Sequence, residues 1–234
     1  MRNAIRFVAV VLLVVTAGQW HASLAQDARP YVTAREVDLL MLIAPPPTND
    51  SPQTKSELAQ LLSIQATRTP DMEARARMDA TIEIARFTEL LGPKFTKESL
   101  PKTAALLARV TGSVNPVVDP AKDTWKRQRP HQQSDQIKPS HTLTATASYP
   151  SGTATSGMLA AIVIGNLVPE KRAAIMARGV EISNQRVVGG IHFPSDVEAG
   201  RMAATLIAFA IMSRDDFKSN FEAARSEIRA VLGP

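Results

Sequence analysis

A histidine and an aspartate stand four residues apart near residue 190, where they could form a nucleophilic pair. Pro194 is expected in the first turn of a helix, so that His192 lies just before the helix and Asp196 lies within its first turn. From there the carboxylate can accept the Nδ1–H of His192, which fixes the tautomer and leaves Nε2 with a lone pair for attack. A His-x-x-x-Asp pair alone is more often structural than catalytic, so this pair needs support from elsewhere in the chain.

Three basic side chains could hold an anion beside this pair. Lys122 and Arg129 are seven residues apart, close to two helical turns, so one helical face could present both of them. Pro130 is expected to end that helix. The glycine pair at 189–190 would let the chain turn so that Arg186 faces the same point. Considered alone, the basic helix end would more often only complement the helix dipole.

The residues just before position 153 provide a second kind of anion site, because they precede an apolar helix. Ser151 is expected to cap that helix, and Gly152 lets a ligand approach the backbone closely. The N–H groups at the start of a helix attract anions. In isolation, simple capping would be the commoner role of this segment.

Together and in this order, the three segments resemble the motifs of the type 2 phosphatidic acid phosphatase superfamily, and within it those of the bacterial class A non-specific acid phosphatases. The family pattern reads KxxxxxxRP, then PSGH, then SRxxxxxHxxxD. The corresponding residues of this chain are Lys122, Arg129 and Pro130, then Pro150, Ser151 and Gly152, then Arg186, His192 and Asp196. The early LLMLIAPPP segment and the VVGGIHFPSD context also resemble class A enzymes.

The resemblance implies an enzyme that hydrolyses phosphate monoesters through a phosphohistidine intermediate. By resemblance, His192 attacks phosphorus and Asp196 orients it. The phosphate oxygens would be held by the remaining motif residues, which are Lys122, Arg129, Ser151, Gly152 and Arg186. Phosphoryl transfer mainly needs positioning and positive charge at the oxygens, so this set requires neither a metal nor another cofactor.

Two residues depart from the family pattern. Gln185 stands where the family has serine, and its amide can still hydrogen-bond. Thr153 stands where the family has the histidine that protonates the leaving oxygen and then activates water. Losing a general acid–base group costs about 10²–10⁴ in rate. Slow turnover of alkyl phosphates is therefore expected, with aryl phosphates spared, unless His131 or His141 takes the missing role.

Two other functions stay open. A non-catalytic relative that binds phosphate or a phosphorylated ligand would keep the phosphate-holding residues and lose the acid–base group, as Thr153 indicates. The superfamily also includes vanadium-dependent haloperoxidases, which hold vanadate in the same cage. Those enzymes have the histidine that this chain lacks at position 153. The rest of this chain is more similar to class A phosphatases.

The composition and the apolar pattern predict an all-α fold, a single-domain helical bundle of the phosphatidic acid phosphatase and haloperoxidase type. Hydrophobic residues make up 44% of the chain and aromatic residues only 5%, which suits helices packed on helices. Helices are predicted over 32–44, from 51 onward, and over 70–91, 97–110, 120–129, 151–167, 169–187, 194–213 and 214–232. Residues 131–149 are polar and aperiodic, and predict a long loop of the kind that often covers a site.

Residues 1–25 have the pattern of a secretory signal peptide. Arg2 and Arg6 precede an apolar run over 7–17, and small residues occupy the positions that signal peptidase reads at the end of the segment. The run is shorter than the roughly 20 apolar residues that span a bilayer. We therefore expect a periplasmic or secreted protein with one domain over 26–234, not an integral membrane protein once processed.

The charge of the processed chain suits a small anionic partner. The formal charge of +5 falls to +3 once Arg2 and Arg6 are removed with residues 1–25. This fits a phosphate monoester or inorganic phosphate. No Lys/Arg run is interleaved with aromatic residues, which argues against nucleic acid. The chain has no cysteine, so a thiol nucleophile is excluded. The resemblance to class A enzymes also suggests a homo-oligomer.

Overall fold

A computed structural model describes residues 29–141 and 145–233. The expected signal peptide at 1–25 lies outside these residues. The described residues form helices joined by turns and loops, with no β-strand among them, which confirms the all-α prediction. Within the same ranges, no helix has both the length and the apolar character that a bilayer span requires.

The described part of the chain contains eleven α-helices and two short 3₁₀ segments. In chain order the α-helices are α1 (Leu39–Leu42), α2 (Pro52–Thr67), α3 (Pro70–Met78), α4 (Thr88–Leu91), α5 (Pro101–Gly112), α6 (Val114–Trp125), α7 (Pro130–Gln133), α8 (Gly152–Leu167), α9 (Arg172–Val188), α10 (Pro194–Met212) and α11 (Asp215–Leu232). The 3₁₀ segments are Ile84–Phe87 and Pro169–Lys171.

Helix α8 is the centre of the fold. It packs against α9 and α10 and also contacts α5, α6 and α11. Because it is apolar on all sides, most of its residues are buried, with Leu159, Ile164 and Leu167 fully so. A helix that is surrounded in this way holds its N-terminus in a fixed place, and that N-terminus carries the Ser151-Gly152-Thr153 segment.

Two glycines let α8 and α9 approach closely. A Cβ built on Gly157 would lie 2.5 Å from Ile182 Cγ2, and a Cβ built on Gly179 would lie 2.5 Å from Ala161 Cβ. These distances are shorter than van der Waals contact, so alanine at either position would force the helices apart. The close approach sets the position of α9, whose last turn carries Arg186.

Helix α6 differs from the predicted helix over 120–129. It begins at Val114, so that Pro120 lies inside the helix and does not start it. A proline leaves the carbonyl of the residue four positions earlier without its helical donor. Here that carbonyl belongs to Pro116, and it accepts from the backbone N–H of Ala34 at 3.1 Å. A contact from a distant part of the chain therefore makes the internal proline tolerable.

The long helix predicted over 70–91 is broken, and the prediction was wrong there. Helix α3 ends at Met78, and the chain continues as a 3₁₀ segment and α4. The break occurs at Asp79, whose buried carboxylate accepts hydrogen bonds from Arg178 at 2.5 and 2.9 Å. This ion pair joins α9 to the end of α3.

The other predicted elements agree to different degrees. The helix predicted over 32–44 is reduced to the single turn of α1, and the one predicted over 97–110 is shifted to α5. The four predicted helices after residue 150 correspond to α8, α9, α10 and α11, within the usual uncertainty of helix ends. The predicted loop over 131–149 begins with α7 and is otherwise irregular where it is described.

Candidate active site

His192 and Asp196 lie together at the N-terminus of α10, in the arrangement that the sequence predicts. His192 Nδ1 is 3.3 Å from Asp196 Oδ2, and both side chains are buried. The backbone N–H of Phe193 donates to the same oxygen at 2.9 Å and holds the carboxylate in place. Because Nδ1 is directed at Asp196, Nε2 is the ring nitrogen that remains for a ligand in the adjoining cavity.

Ser148 and Arg127 complete the surroundings of Asp196. Ser148 Oγ donates to Asp196 Oδ2 at 2.5 Å and lies 3.3 Å from His192 Nδ1. Arg127 donates to Asp196 Oδ1 at 2.6 Å and to Glu57 at 3.1 Å. Each oxygen of the Asp196 carboxylate therefore has a hydrogen-bond donor in addition to the imidazole of His192.

Sequence reasoning missed both of these residues, although Arg127 lies within the first motif and Ser148 lies close to the second. Arg127 lies two residues before Arg129, and Ser148 lies three residues before Ser151. Their positions inside polar segments are the one available signal. Only the folded arrangement shows that they converge on Asp196.

The electrostatics favour a neutral histidine beside an ionised carboxylate. Burial lowers the pKa of His192 to about 3, although its hydrogen bond with Asp196 opposes the shift. Burial raises the pKa of Asp196, but the hydrogen bond with His192, the charge of Arg127 and the hydrogen bond with Ser148 outweigh it and hold that pKa below its ordinary value. At neutral and mildly acidic pH, Nε2 therefore keeps its lone pair.

Lys122 and Arg129 both reach the cavity, but they do not share a helical face as predicted. Helix α6 ends at Trp125, and Lys126 takes a left-handed conformation with a φ of 49°. Arg129 follows as the residue that precedes α7, and Pro130 begins α7 where it was expected to end a helix. Proline suits a first helical position because its N–H would have no partner there.

The two cations are fixed by backbone oxygens and lie near the histidine. Lys122 Nζ donates to the carbonyl of Ala147 at 2.5 Å. Arg129 Nε donates to the carbonyl of Thr146 at 2.9 Å, and Arg129 Nη1 lies 3.2 Å from His192 Nε2. Burial and the charge of Arg129 lower the pKa of Lys122 to about 8. Both groups are thus cations at neutral pH, and Arg129 lies beside His192 Nε2.

The start of α8 is held against α10. Ser151 Oγ accepts from the backbone N–H of Ala154 at 3.3 Å, which confirms the predicted cap. The N–H of Ser151 donates to the carbonyl of Asp196 at 3.0 Å. A Cβ on Gly200 of α10 would lie only 2.6 Å from the Ser151 carbonyl oxygen, so glycine permits this contact. Gly152 faces open space in the cavity.

Arg186 is buried at the end of α9, behind the histidine. Its carbonyl accepts from the backbone N–H of Ile191 and of His192, at 3.0 and 3.3 Å, after a turn in which Gly190 has a φ of 68°. Its guanidinium donates to the carbonyl of Ala76 at 3.0 Å. Arg186 Nε is buried with no hydrogen-bond partner among the described residues, and Arg186 is not among the described residues that line the cavity.

The two histidines considered as replacements for the missing acid are not among the described residues that line the cavity. His141 Nε2 is 2.9 Å from Arg186 Nη2, and burial together with the nearby arginines lowers the pKa of His141 to about 4. His131 lies in α7, and its Nδ1 is buried without a partner among the described residues. Neither histidine belongs to the described part of the cavity wall that contains Thr153.

The cavity itself has a volume of about 620 Å³ and opens to solvent. Its inner end is formed by the buried side chains of His192, Lys122 and Arg129, whereas Gly152 and Thr153 line the cavity and are only partly buried. Further out, its described wall carries hydroxyl, amide and carboxylate groups on α5, α6 and α8: Thr111, Asn115, Asp119 and Ser156. This volume lies within the usual range for small-molecule sites, so it can hold a phosphate group together with an attached organic group.

The family model for the PAP2 superfamily matches residues 103–219, half of the chain, and this stretch contains all three motifs. The chain belongs to the PAP2 superfamily. This assignment confirms the resemblance inferred from the motifs. The PAP2 match runs from α5 into α11 and so includes the histidine, the aspartate and the cations described above.

Curated relatives of this PAP2 chain are bacterial proteins. An acid phosphatase of Zymomonas mobilis subsp. mobilis is 29% identical over 95% of this chain and 90% of its own length. A non-specific acid phosphatase of Providencia stuartii is 27% identical over 83% of this chain and 82% of its own length. A non-specific acid phosphatase of Salmonella typhimurium is also 27% identical, over 87% of this chain and 86% of its own length. The similarity thus extends well beyond the motifs.

Proposed function

We propose that this protein is an exported acid phosphatase that hydrolyses phosphate monoesters through a phosphohistidine on His192. One observation carries the proposal. A buried, neutral imidazole is oriented by Asp196 through Nδ1, and its Nε2 lies 3.2 Å from the guanidinium of Arg129 at the inner end of the cavity. The relatives named acid phosphatases support the same reaction class.

In the first step, the phosphate group occupies the inner end of the cavity. Lys122, Arg129 and the N–H groups at the start of α8 stabilise the charge on its oxygens. The buried Nε of Arg186 gains an acceptor if a phosphate oxygen reaches it. His192 Nε2 attacks phosphorus, the bond to the leaving oxygen breaks, and Asp196 stabilises the positive charge that forms on the ring.

In the second step, water hydrolyses the phosphohistidine. The water oxygen bonds to phosphorus, the P–N bond breaks, and its electron pair returns to Nε2. The same cations stabilise the oxygens in both steps, because charge is spread over the same three oxygens each time. Thr153 contributes no proton transfer near neutral pH, so the leaving oxygen and the water need another group or must react without one.

Hydrolysis of an aryl phosphate by the processed protein tests the proposal. p-Nitrophenyl phosphate has a leaving group that departs without a proton. We expect turnover by the native protein, loss of turnover in His192→Ala, and unchanged turnover in His131→Ala, which alters a histidine outside the described cavity wall. Phosphate found on His192 by mass spectrometry after alkaline quenching would identify the intermediate. Turnover that survives in His192→Ala would contradict the mechanism.

A second candidate is a phosphate-binding protein without turnover, which Thr153 favours because the position of the family's acid–base histidine lacks one. It predicts micromolar binding of inorganic phosphate and no hydrolysis of either aryl or alkyl phosphates. Calorimetry beside the hydrolysis assay separates the two candidates. Export is tested separately, by N-terminal sequencing of the protein recovered from the periplasm, where cleavage after residue 25 is expected.

A further inference from the structure

The outer part of the cavity contains one acidic side chain among its described residues, Asp119. It lies on α6, three residues before Lys122 and four residues after Asn115. Residues at these spacings share one face of a helix, and all three line the cavity. Asp119 is therefore the next side chain outward from the phosphate-binding end on this face.

Thr153 and Ser156 line the same cavity from α8. They stand three residues apart on α8, with Thr153 nearer to the helix N-terminus where the phosphate binds. In an in-line displacement the leaving oxygen lies opposite the attacking nitrogen. For attack by His192 Nε2 at the inner end, the leaving oxygen must face outward, toward the part of the cavity that Asp119 and Thr153 line.

We propose that Asp119 is the general acid and base of this protein, in place of the histidine that its family has at position 153. The inference rests on the proposed function, since it assigns a residue to the same reaction. It places the proton donor on α6 and not on α8. It also explains how the site could retain turnover of alkyl phosphates although Thr153 cannot transfer protons.

The proton balance of the two steps is complete with Asp119 alone. As His192 Nε2 bonds to phosphorus and the P–O bond breaks, the protonated Asp119 gives its proton to the leaving oxygen, and an alcohol departs. The Asp119 carboxylate then takes a proton from water as the water oxygen bonds to phosphorus. The P–N bond breaks toward Nε2, phosphate is released, and Asp119 is protonated again.

The surroundings of Asp119 suit an acid. Burial raises the pKa of Asp119, the charge of Lys122 opposes this shift, and the charge of Asp123 adds to it. The Arg129 guanidinium and the neutral His192 line the same cavity. The net result is a pKa above the ordinary value, which extends the protonated form toward the mildly acidic range where an acid phosphatase works.

The test compares Asp119→Asn with Asp123→Asn on two substrates. Asp123→Asn also removes one negative charge from the neighbourhood of Lys122. Asp123 is exposed and is not among the described cavity-lining residues. The readout is kcat/KM, because it covers the steps up to departure of the leaving group and not the later attack of water, which both esters share. We expect Asp119→Asn to lower kcat/KM for an alkyl ester, glycerol phosphate, by about 10²-fold or more, and that for p-nitrophenyl phosphate less than about fivefold. Asp123→Asn should leave both values unchanged. An equal loss of kcat/KM on both esters, or no loss on either, would overturn the proposal.

A second background separates proton transfer from charge alone. In a protein that already carries Thr153→His, a histidine can protonate the leaving oxygen, so Asp119→Asn should cost less than about tenfold on glycerol phosphate. The same loss in both backgrounds would count against Asp119 as the acid. The proposed function has its own readout, since cleavage of the aryl ester depends on His192 and needs no acid. If the native protein cleaves neither ester, the proposed function fails and this inference fails with it.

Discussion

Arg127 Nη1 donates to Asp196 Oδ1 at 2.6 Å, and the two side chains are almost completely buried. The other terminal nitrogen of Arg127 donates to Glu57 at 3.1 Å. A chain of contacts therefore runs from α2 through Arg127 and Asp196 to the imidazole of His192. It connects the orientation of His192 to a buried cation at a position that the family pattern leaves unspecified.

Replacing Arg127 by methionine should destabilise the protein strongly. The variant leaves two buried carboxylates, Asp196 and Glu57, without their cation, and breaking a buried pair in this way costs about 3–5 kcal/mol. Urea unfolding followed by circular dichroism measures the change. Arg201→Met is the control, because Arg201 pairs with the exposed Glu198 and should cost only about 0–1 kcal/mol. An equal decrease in the free energy of unfolding in the two variants would show that the buried ion pairs of Arg127 stabilise the protein no more than an exposed pair does.

Replacing Ser148 by alanine should slow catalysis without weakening phosphate binding. The serine donates to Asp196 at 2.5 Å, so its loss leaves the carboxylate less firmly oriented toward His192. A hydrogen bond to a charged group is worth about 1.5–3 kcal/mol, so we expect kcat for p-nitrophenyl phosphate to fall about tenfold or more, with KM little changed.

Ser183→Ala is the matched control for this variant. Ser183 is equally buried, and its hydroxyl donates to the carbonyl of Gly179 within α9, away from the imidazole. Steady-state kinetics of both variants decide the matter. A rise in KM with unchanged kcat in Ser148→Ala would place the serine in substrate binding and not in the orientation of Asp196.

Phosphate affinity should fall as the pH rises through about 8. Burial and Arg129 lower the pKa of Lys122 to about 8, so Lys122 is a cation below that pH and becomes neutral above it. Above this pH inorganic phosphate is already mainly the dianion, so its own ionisation does not hide the effect. Calorimetry between pH 8 and 10 measures the affinity.

Lys122→Arg provides the comparison, since an arginine keeps its charge throughout this range. The variant should bind phosphate with an affinity that no longer falls near pH 8. A decline of the same size at the same pH in the native protein and in Lys122→Arg would show that another group causes it.

The stability of the protein should fall on acidification through the titration of His192. Its pKa in the folded protein is about 3, below the ordinary value of 6.5, because the buried ring resists protonation. Between these values the unfolded chain binds a proton that the folded protein does not, so the free energy of unfolding decreases as the pH falls from about 6.5 toward 3. His141, with a pKa of about 4, contributes in the same direction.

His192→Gln isolates this contribution, because His141 is retained in the variant. The difference in free energy of unfolding between the native protein and His192→Gln should shift in favour of the variant as the pH falls from 7 to 4. Urea titrations at the two pH values measure it. A difference that stays constant with pH would mean that His192 binds its proton equally well in the folded and unfolded states.

The sequence by itself determined the parts of the site that depend on local geometry. Ser151 caps α8, Pro194 starts α10, and Asp196 lies in the first turn of α10 with His192 just before it, which brings the two side chains together. Capping, proline placement and helical periodicity act over a few residues and can be read directly from the order of amino acids. The motif spacing then indicated the PAP2 superfamily, which the comparisons confirmed.

Tertiary structure decided everything that depends on segments distant in the chain. The left-handed turn at Lys126 separates Arg129 from the helix that carries Lys122. The approach of Ser148 and Arg127 to Asp196 and the position of Asp119 in the cavity depend on how α6, α8 and α10 pack. These contacts join residues up to 69 positions apart. No local preference encodes them, because they arise only when burial of the apolar α8 brings those helices together.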